Sequence, residues 1–260
     1  TYLFLNSKGE LVHRSGGSMP AQEFINVGQS AVDPKKTIIY IRQTVNAKST
    51  DPELLYNYIF GSMRAHLDID SVIRKNAFDQ INGSTISDPW NRRIVLNLGE
   101  GLDGLKKLIT LKEPLSKEIG RDSLSFYFTN YERYQLMDAA NSDRLSDYTE
   151  FKELLKSVQP TRMTAQEREQ TYWSADLSYA LHWKNTELFM ATATDGIEKY
   201  YWDNSEQLNS LAWNATELTA QPQHMKEADR WIVRSIELDE NYYNLDTRAW
   251  IQYKLGNNDL

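Results

Sequence analysis

The segment Leu208-Asn209-Ser210-Leu211-Ala212-Trp213 returns in altered form as Asp246-Thr247-Arg248-Ala249-Trp250. The two Ala-Trp pairs stand about 37 residues apart, a period that belongs to repeated helix pairs rather than to strands. Between them Ala228, Trp231, Ile232 and Ile236 recur every three or four residues, the spacing of one helix face. The pattern therefore reads as stacked helices. The small Ala212 and Ala249 admit a neighbouring helix, each following Trp fills the space between repeats, and Tyr253-Lys254-Leu255-Gly256 turns the chain toward the next helix. Two echoes are fewer than a free-standing solenoid needs, so this region is expected to lean on the helices before it.

Those helices are announced from about residue 34 onward. Asp51-Pro52-Glu53 places a capping side chain, a proline at the first helical position and an acid at the positive end of the helix dipole. Leu54, Leu55, Tyr58, Ile59 and Met63 follow at helical spacing, and Val72, Ile73, Ala77, Phe78 and Ile81 form a second stripe before Asn82-Gly83. Thr164-Ala165-Gln166-Glu167 is a capping box, and it opens a helix carrying Trp173, Leu177, Ala180 and Leu181. Residues 123–128 alone have strand-like composition, and their helical surroundings argue against it.

The opening of the chain differs. Leu3, Phe4 and Leu5 form an apolar run, Asn6-Ser7-Lys8-Gly9 has turn chemistry, and Leu11-Val12-His13 resumes an extended pattern, which together predict a β-hairpin. His13 is expected to face solvent. After Gly16-Gly17, Ser18 is expected to cap a helix with Pro20 in its first turn and Phe24, Val27 or Gly28, and Ala31 on one face. Two strands alone are marginal in water, so this unit is expected to need others beside it. The fold class is therefore mostly α with a short hairpin. The expected organisation is strand, strand, helix over 1–33, a helical domain over 34–204, and helix pairs over 205–260.

Composition narrows the function. The 260 residues carry 29 Lys and Arg against 36 Asp and Glu, a net charge of −7, which disfavours nucleic acid or an anionic membrane as a partner. No apolar run approaches the roughly 18 residues of a membrane span. Zero cysteines exclude disulfides, thiolate metal sites and cysteine nucleophiles within these residues. The chain opens at Thr1 on a strand pattern and stops in the turn at Gly256-Asn257-Asn258-Asp259-Leu260, so it reads as a piece of a longer protein. An uncovered strand edge along 1–5 is then expected to recruit other chains, making self-association or fraying at the termini the expected behaviour.

The stretch Thr1-Tyr2-Leu3-Phe4-Leu5-Asn6-Ser7-Lys8-Gly9-Glu10-Leu11-Val12-His13-Arg14-Ser15-Gly16-Gly17 resembles the second half of a thioredoxin domain. The segments 208–213, Arg234-Ser235-Ile236-Glu237-Leu238 and 241–256 resemble the tetratricopeptide-like end of bacterial thioredoxin-like proteins, in which a long helical region follows the redox domain. The match covers 1–33 and 205–260; between them only the helical rhythm agrees. The resemblance implies a Cys-x-x-Cys upstream of Thr1, where a helix dipole lowers the first thiol's pKa. Thr1 would then follow the family's cis-proline and hold a partner's backbone. It also implies a periplasmic or envelope location. No catalytic residue can be carried onto this chain.

Other candidate chemistry weakens on inspection. Gly99-Glu100-Gly101-Leu102-Asp103-Gly104 has the form of a dinucleotide-binding loop, but its two carboxylates would oppose a phosphate and no strand–helix–strand alternation surrounds it. It is expected to be a loop between helices. His13, His66, His182 and His224 show no metal-ligand spacing. His182, with Asp176 and Glu187 nearby in sequence, reads as a hydrogen-bonded structural histidine. Glu150, Lys152, Glu153 and Lys156 read as a solvated face, and the sequons at Asn82 and Asn214 are set aside with the bacterial resemblance. Most of the 7 Trp and 15 Tyr are expected to pack between helices. Tyr200-Tyr201-Trp202 cannot all face inward on one helix, so Tyr200 and Trp202 join Thr1 as candidate binding residues. No cofactor or metal is expected. A non-catalytic segment binding a protein or peptide is the leading expectation. The substrate-selecting part of a thiol–disulfide oxidoreductase comes second, and a helical carbohydrate-binding protein third.

Overall fold

The structure, a computed structural model, describes residues 1–143 and 145–257; residues 258–260 of the expected terminal turn lie outside it. The described chain is mostly α-helical with one two-stranded antiparallel hairpin. It divides into two compact units, Thr1–Tyr127 and Phe128–Leu260.

In the N-terminal unit β1 (Tyr2–Leu5) pairs with β2 (Leu11–Ser15). The Asn6 side chain accepts the amides of Lys8 and Glu10 at 2.9 and 3.0 Å, and Gly9 closes the turn at φ +80°. Phe4 lies opposite His13, and the register then slips so that Leu5 meets Leu11, the mark of a bulge. Helix α1 (Ala21–Val32) starts after Pro20 without a side-chain cap, so Ser18 does not cap it. Proline pushes the residue before it out of the helical region, which delays the start of the helix and leaves Ser18 too far upstream. Phe24 of α1 lies 5.0 Å from the Tyr2 ring and 6.4 Å from Phe4, yet no α1 residue is fully buried.

The hairpin is seated by β2 on α2 (Ile38–Thr44) and α3 (Pro52–Ala65). His13 does not face solvent: its Nδ1 accepts the Ile38 amide at 3.0 Å, and burial lowers its pKa. Gly16 passes so close to α3 that a Cβ would stand 2.6 Å from His66 Nε2 and 2.7 Å from the Arg64 carbonyl. Arg64 also reaches Glu23 of α1 in an ion pair.

Asp51 caps α3 through the amides of Glu53 and Leu54, as its sequence signal predicts. Leu55, Tyr58, Ile59, Ser62 and Ala65 form the buried stripe, while Met63 turns outward. Helices α4 (Ser71–Asp79), α5 (Pro89–Leu98), α6 (Gly101–Thr110) and α7 (Lys112–Ile119) complete the core with Ile73, Ile94, Leu98, Leu105 and Leu108. Residues 123–128 lie in α8 (Arg121–Asn130), where the unit boundary falls.

In the C-terminal unit the helix continues through a π-turn, Tyr131–Gln135, into α9 (Leu136–Ala140), followed by α10 (Leu145–Ser157). The Thr164–Glu167 capping box opens α11 (Ala165–His182). Then come α12 (Thr186–Tyr200), α13 (Ser205–Leu218), α14 (Pro222–Leu238) and α15 (Tyr242–Lys254). From α11 onward each packs on the next, and α13 also touches α15.

The Ser205 and Ser235 hydroxyls each donate to the other residue's carbonyl, at 3.0 and 2.8 Å. That pairing joins the start of α13 to the end of α14 and makes the pair antiparallel. Trp231 is wholly buried in a cluster with Phe189, Leu208, Ala212, Ala228 and Ile232. Burying one such aromatic stabilises the fold by about 1.5–3 kcal/mol before cavity effects. Gly196 admits Trp173: a Cβ there would lie 2.1 Å from the indole nitrogen, which donates to the Thr192 carbonyl at 2.7 Å.

The Ala-Trp echo takes a different form from the expected one. Ala212 is buried, but Trp213 and Trp250 are both exposed, and so is Ala249. Adjacent helical residues point about 100° apart, so turning Ala212 into the core swings Trp213 to the rim. The space the two tryptophans were expected to fill belongs to Trp231.

Candidate binding surface

Thr1 is exposed ahead of β1 in the N-terminal unit, whereas Tyr200 and Trp202 lie in the C-terminal one. Tyr200 closes α12 half-buried, its ring 5.1 Å from Trp173, and Tyr201 packs on the same indole at 5.3 Å. Trp202 is flanked by the guanidinium groups of Arg230 at 5.0 Å and Arg234 at 5.8 Å. Both arginines are themselves held, Arg230 by Glu227 and Glu198, Arg234 by Asp203 and Glu237. All three aromatics of 200–202 thus rest against the core cluster with part of each surface open.

The glycine-rich segment is not a loop throughout: only Gly99 and Glu100 lie between α5 and α6, and Gly101 to Gly104 form the first turn of α6. Ile94, Val95 and Leu96 are helical rather than a strand, Gly101 takes a left-handed φ of +56°, and Glu100 pairs with Arg74 at 2.7 Å. Glu100 thus places a carboxylate at the start of α6, where it would oppose a phosphate. His66 ends α3 at φ +51°, His182 Nε2 lies 2.9 Å from Asp143, and His224 lies 3.9 Å from Glu187. Among the described residues no three His, Asp or Glu side chains gather as a metal site would require.

Three features escape sequence reading. At the π-turn Glu132 is fully buried with its carboxylate 2.7 Å from Arg168 Nε. Burial pushes its carboxyl above the usual range and Arg168 pulls it partly back. Beside it a groove of about 320 Å³ runs along α11, lined by Met137, Met163, Gln170 and Thr171, with Arg133 and Glu167 paired at 3.3 Å. Nearby, Tyr148 donates to Asp176 at 2.6 Å and Lys152 reaches the same oxygen at 2.5 Å. Burial, followed by the Asp176 hydrogen bond, raises the Tyr148 pKa.

The most open apolar surface of this unit lies on α15. Asn241 caps the helix by accepting the Tyr243 and Asn244 amides, while Asn244, Thr247, Ile251 and Gln252 turn inward. Gln252 donates to Asp229 at 2.7 Å and Lys254 to the Thr216 carbonyl at 2.5 Å, fixing α15 against α14 and α13. The opposite face leaves Tyr242 76 %, Tyr243 73 % and Tyr253 61 % exposed. Leu245, Ala249 and Trp250 are exposed beside them, with the Trp250 and Tyr253 rings stacked at 5.3 Å. The signal was present in the sequence, because Tyr242, Leu245, Ala249 and Tyr253 recur at helical spacing.

Comparison of the chain with protein-family models, with curated proteins and with solved structures returns no match.

Proposed function

We propose that this chain is a non-catalytic helical segment of a thioredoxin-like protein, binding a protein or peptide and ending in tetratricopeptide-like helix pairs over 205–260. The observation that carries the binding role is the aromatic face of α15, held in place from behind by Gln252 and Lys254. Large aromatic side chains on a fixed helix offer contact area at low entropic cost, which suits them to recognition. The period linking α13 to α15 supports the helix-pair assignment of 205–260, with 34–204 as the helical region before it. The strand, strand, helix order of 1–33, with Thr1 at its head, supports membership of a larger sheet. So does the apolar hairpin face, where Leu3 is 61 % and Leu5 59 % exposed.

The test is selection of a random peptide-display library on the purified chain. Enriched peptides that lose binding on the variant Tyr242→Ser/Tyr253→Ser are the expected result. Absence of any enriched peptide, or enrichment indifferent to that variant, contradicts the role of this face.

A further inference from the structure

Resting on the peptide-binding reading, we infer that α15 is the receiving half of a helix pair and that its partner is an amphipathic helix with the inner-face pattern of α14. One period separates Ser205 from Tyr242, Leu208 from Leu245, Ala212 from Ala249, and Thr216 from Tyr253. On α13 these positions form one stripe, and the bond from Ser205 to Ser235 identifies it as the stripe that faces α14. Leu208, Ala212 and Thr216 are buried there. Their counterparts on α15 are all exposed. The same chain therefore displays the stripe twice, once covered and once open.

The covered copy specifies what covers it. Helix α14 buries Met225, Ala228, Trp231, Ile232 and Ser235, running antiparallel to α13. Equal helical rise from the Ser205–Ser235 bond sets Ala228 level with Ala212, with the bulk of Trp231 one turn away. The open copy alters this at both ends, because Tyr242 and Tyr253 replace Ser205 and Thr216. A partner helix with the α14 pattern consequently sets a small residue level with Ala249 and a bulky apolar one a turn away, near Leu245, as Ala228 and Trp231 do along α13. Asp246, exposed beside the stripe where α13 has Asn209, favours a Lys or Arg on the partner. The mode is an amphipathic helix laid along an apolar helix face, with anchors three, four and seven residues apart.

The experiment uses the whole chain and a synthetic peptide of residues 222–238 as the probe, with chemical shifts followed at α15. Saturable shifts at Tyr242, Leu245, Ala249 and Tyr253 are expected. A control peptide carrying Trp231→Ser and Ile232→Ser should bind at least about tenfold more weakly. Ala249→Arg in the protein should abolish the shifts while leaving the helical circular dichroism intact. A lactam-bridged form of the peptide keeps the outcome readable if the free peptide is unfolded. Equal binding of the control peptide, shifts confined to other helices, or no shift with the bridged peptide overturns the inference. So does concentration-dependent pairing of two chains through α15 that the peptide fails to compete. Display-selected extended peptides that bind without an α14-like pattern would leave the peptide-binding reading standing while this inference falls.

Discussion

The α13–α14 pair and the opening strand–strand–helix segment show two ways of holding apolar residues. The helix pair closes on itself, and Leu208, Ala212, Ala228, Trp231 and Ile232 are wholly buried. The opening segment has comparable apolar content, but only Ser15 and Gly16 are buried in it. It is tied down by the His13–Ile38 bond, by the passage of Gly16 against α3 and by the Glu23–Arg64 pair. A helix hairpin completes its core with its own next element, whereas a two-stranded hairpin has two faces and covers only one of them. Stability should therefore be uneven along the chain, high in the stack and low at the hairpin.

The largest expected effect comes from emptying the stack. Trp231→Ala removes the biggest fully buried side chain and should cost about 3–5 kcal/mol, read as a lowered denaturation midpoint of the C-terminal unit. A loss under about 1 kcal/mol would remove the contrast between the regions. Next in size is Gly16→Ala, whose Cβ meets both His66 and the Arg64 carbonyl. It should cost about 1–3 kcal/mol of hairpin docking, with faster amide exchange in β1 and β2 and unchanged exchange in α14. A uniform change through both units would mean that the hairpin is not a separately docked element.

A smaller, pH-dependent effect sharpens it. The His13 pKa is held below its ordinary 6.5 by burial, so the unfolded chain takes up this proton more readily than the folded one. The stability that neutral His13 contributes is whole above pH 6.5 and is lost as the pH falls toward the folded value. Acidification should thus release the Ile38 amide to exchange before α13 or α14 responds, and His13→Phe should flatten that dependence. Smallest of all, Tyr242→Ser/Tyr253→Ser should change stability by less than about 0.5 kcal/mol, since both rings face outward. A larger loss by chemical denaturation would mean that the α15 face is structural.

What could be read from the sequence was local chemistry. The Asp51 and Thr164 caps and the Asn6–Gly9 turn each fall within four residues, and each formed as read. Relations across the chain were hidden. His13 meets Ile38 only once the hairpin folds onto α2, and Glu132 of the π-turn meets Arg168 only once the chain returns in α11. The Ala-Trp echo marked two helices, α13 and α15, and misplaced the tryptophans, because neighbours in sequence cannot share a helix face. The α15 surface lay between these cases: its stripe was legible, and its openness depended on which helices cover it.

Amide hydrogen exchange resolved by residue along the whole chain is the most direct test, because a recognition face must exist before its partner arrives. Slow exchange is expected through α14, with protection in α15 from Leu245 to Tyr253 well above that of Tyr2–Leu5 and the fastest exchange in the hairpin and α1. Exchange in α15 as fast as in the hairpin would mean that its aromatic face is not preformed and cannot serve as a ready recognition surface.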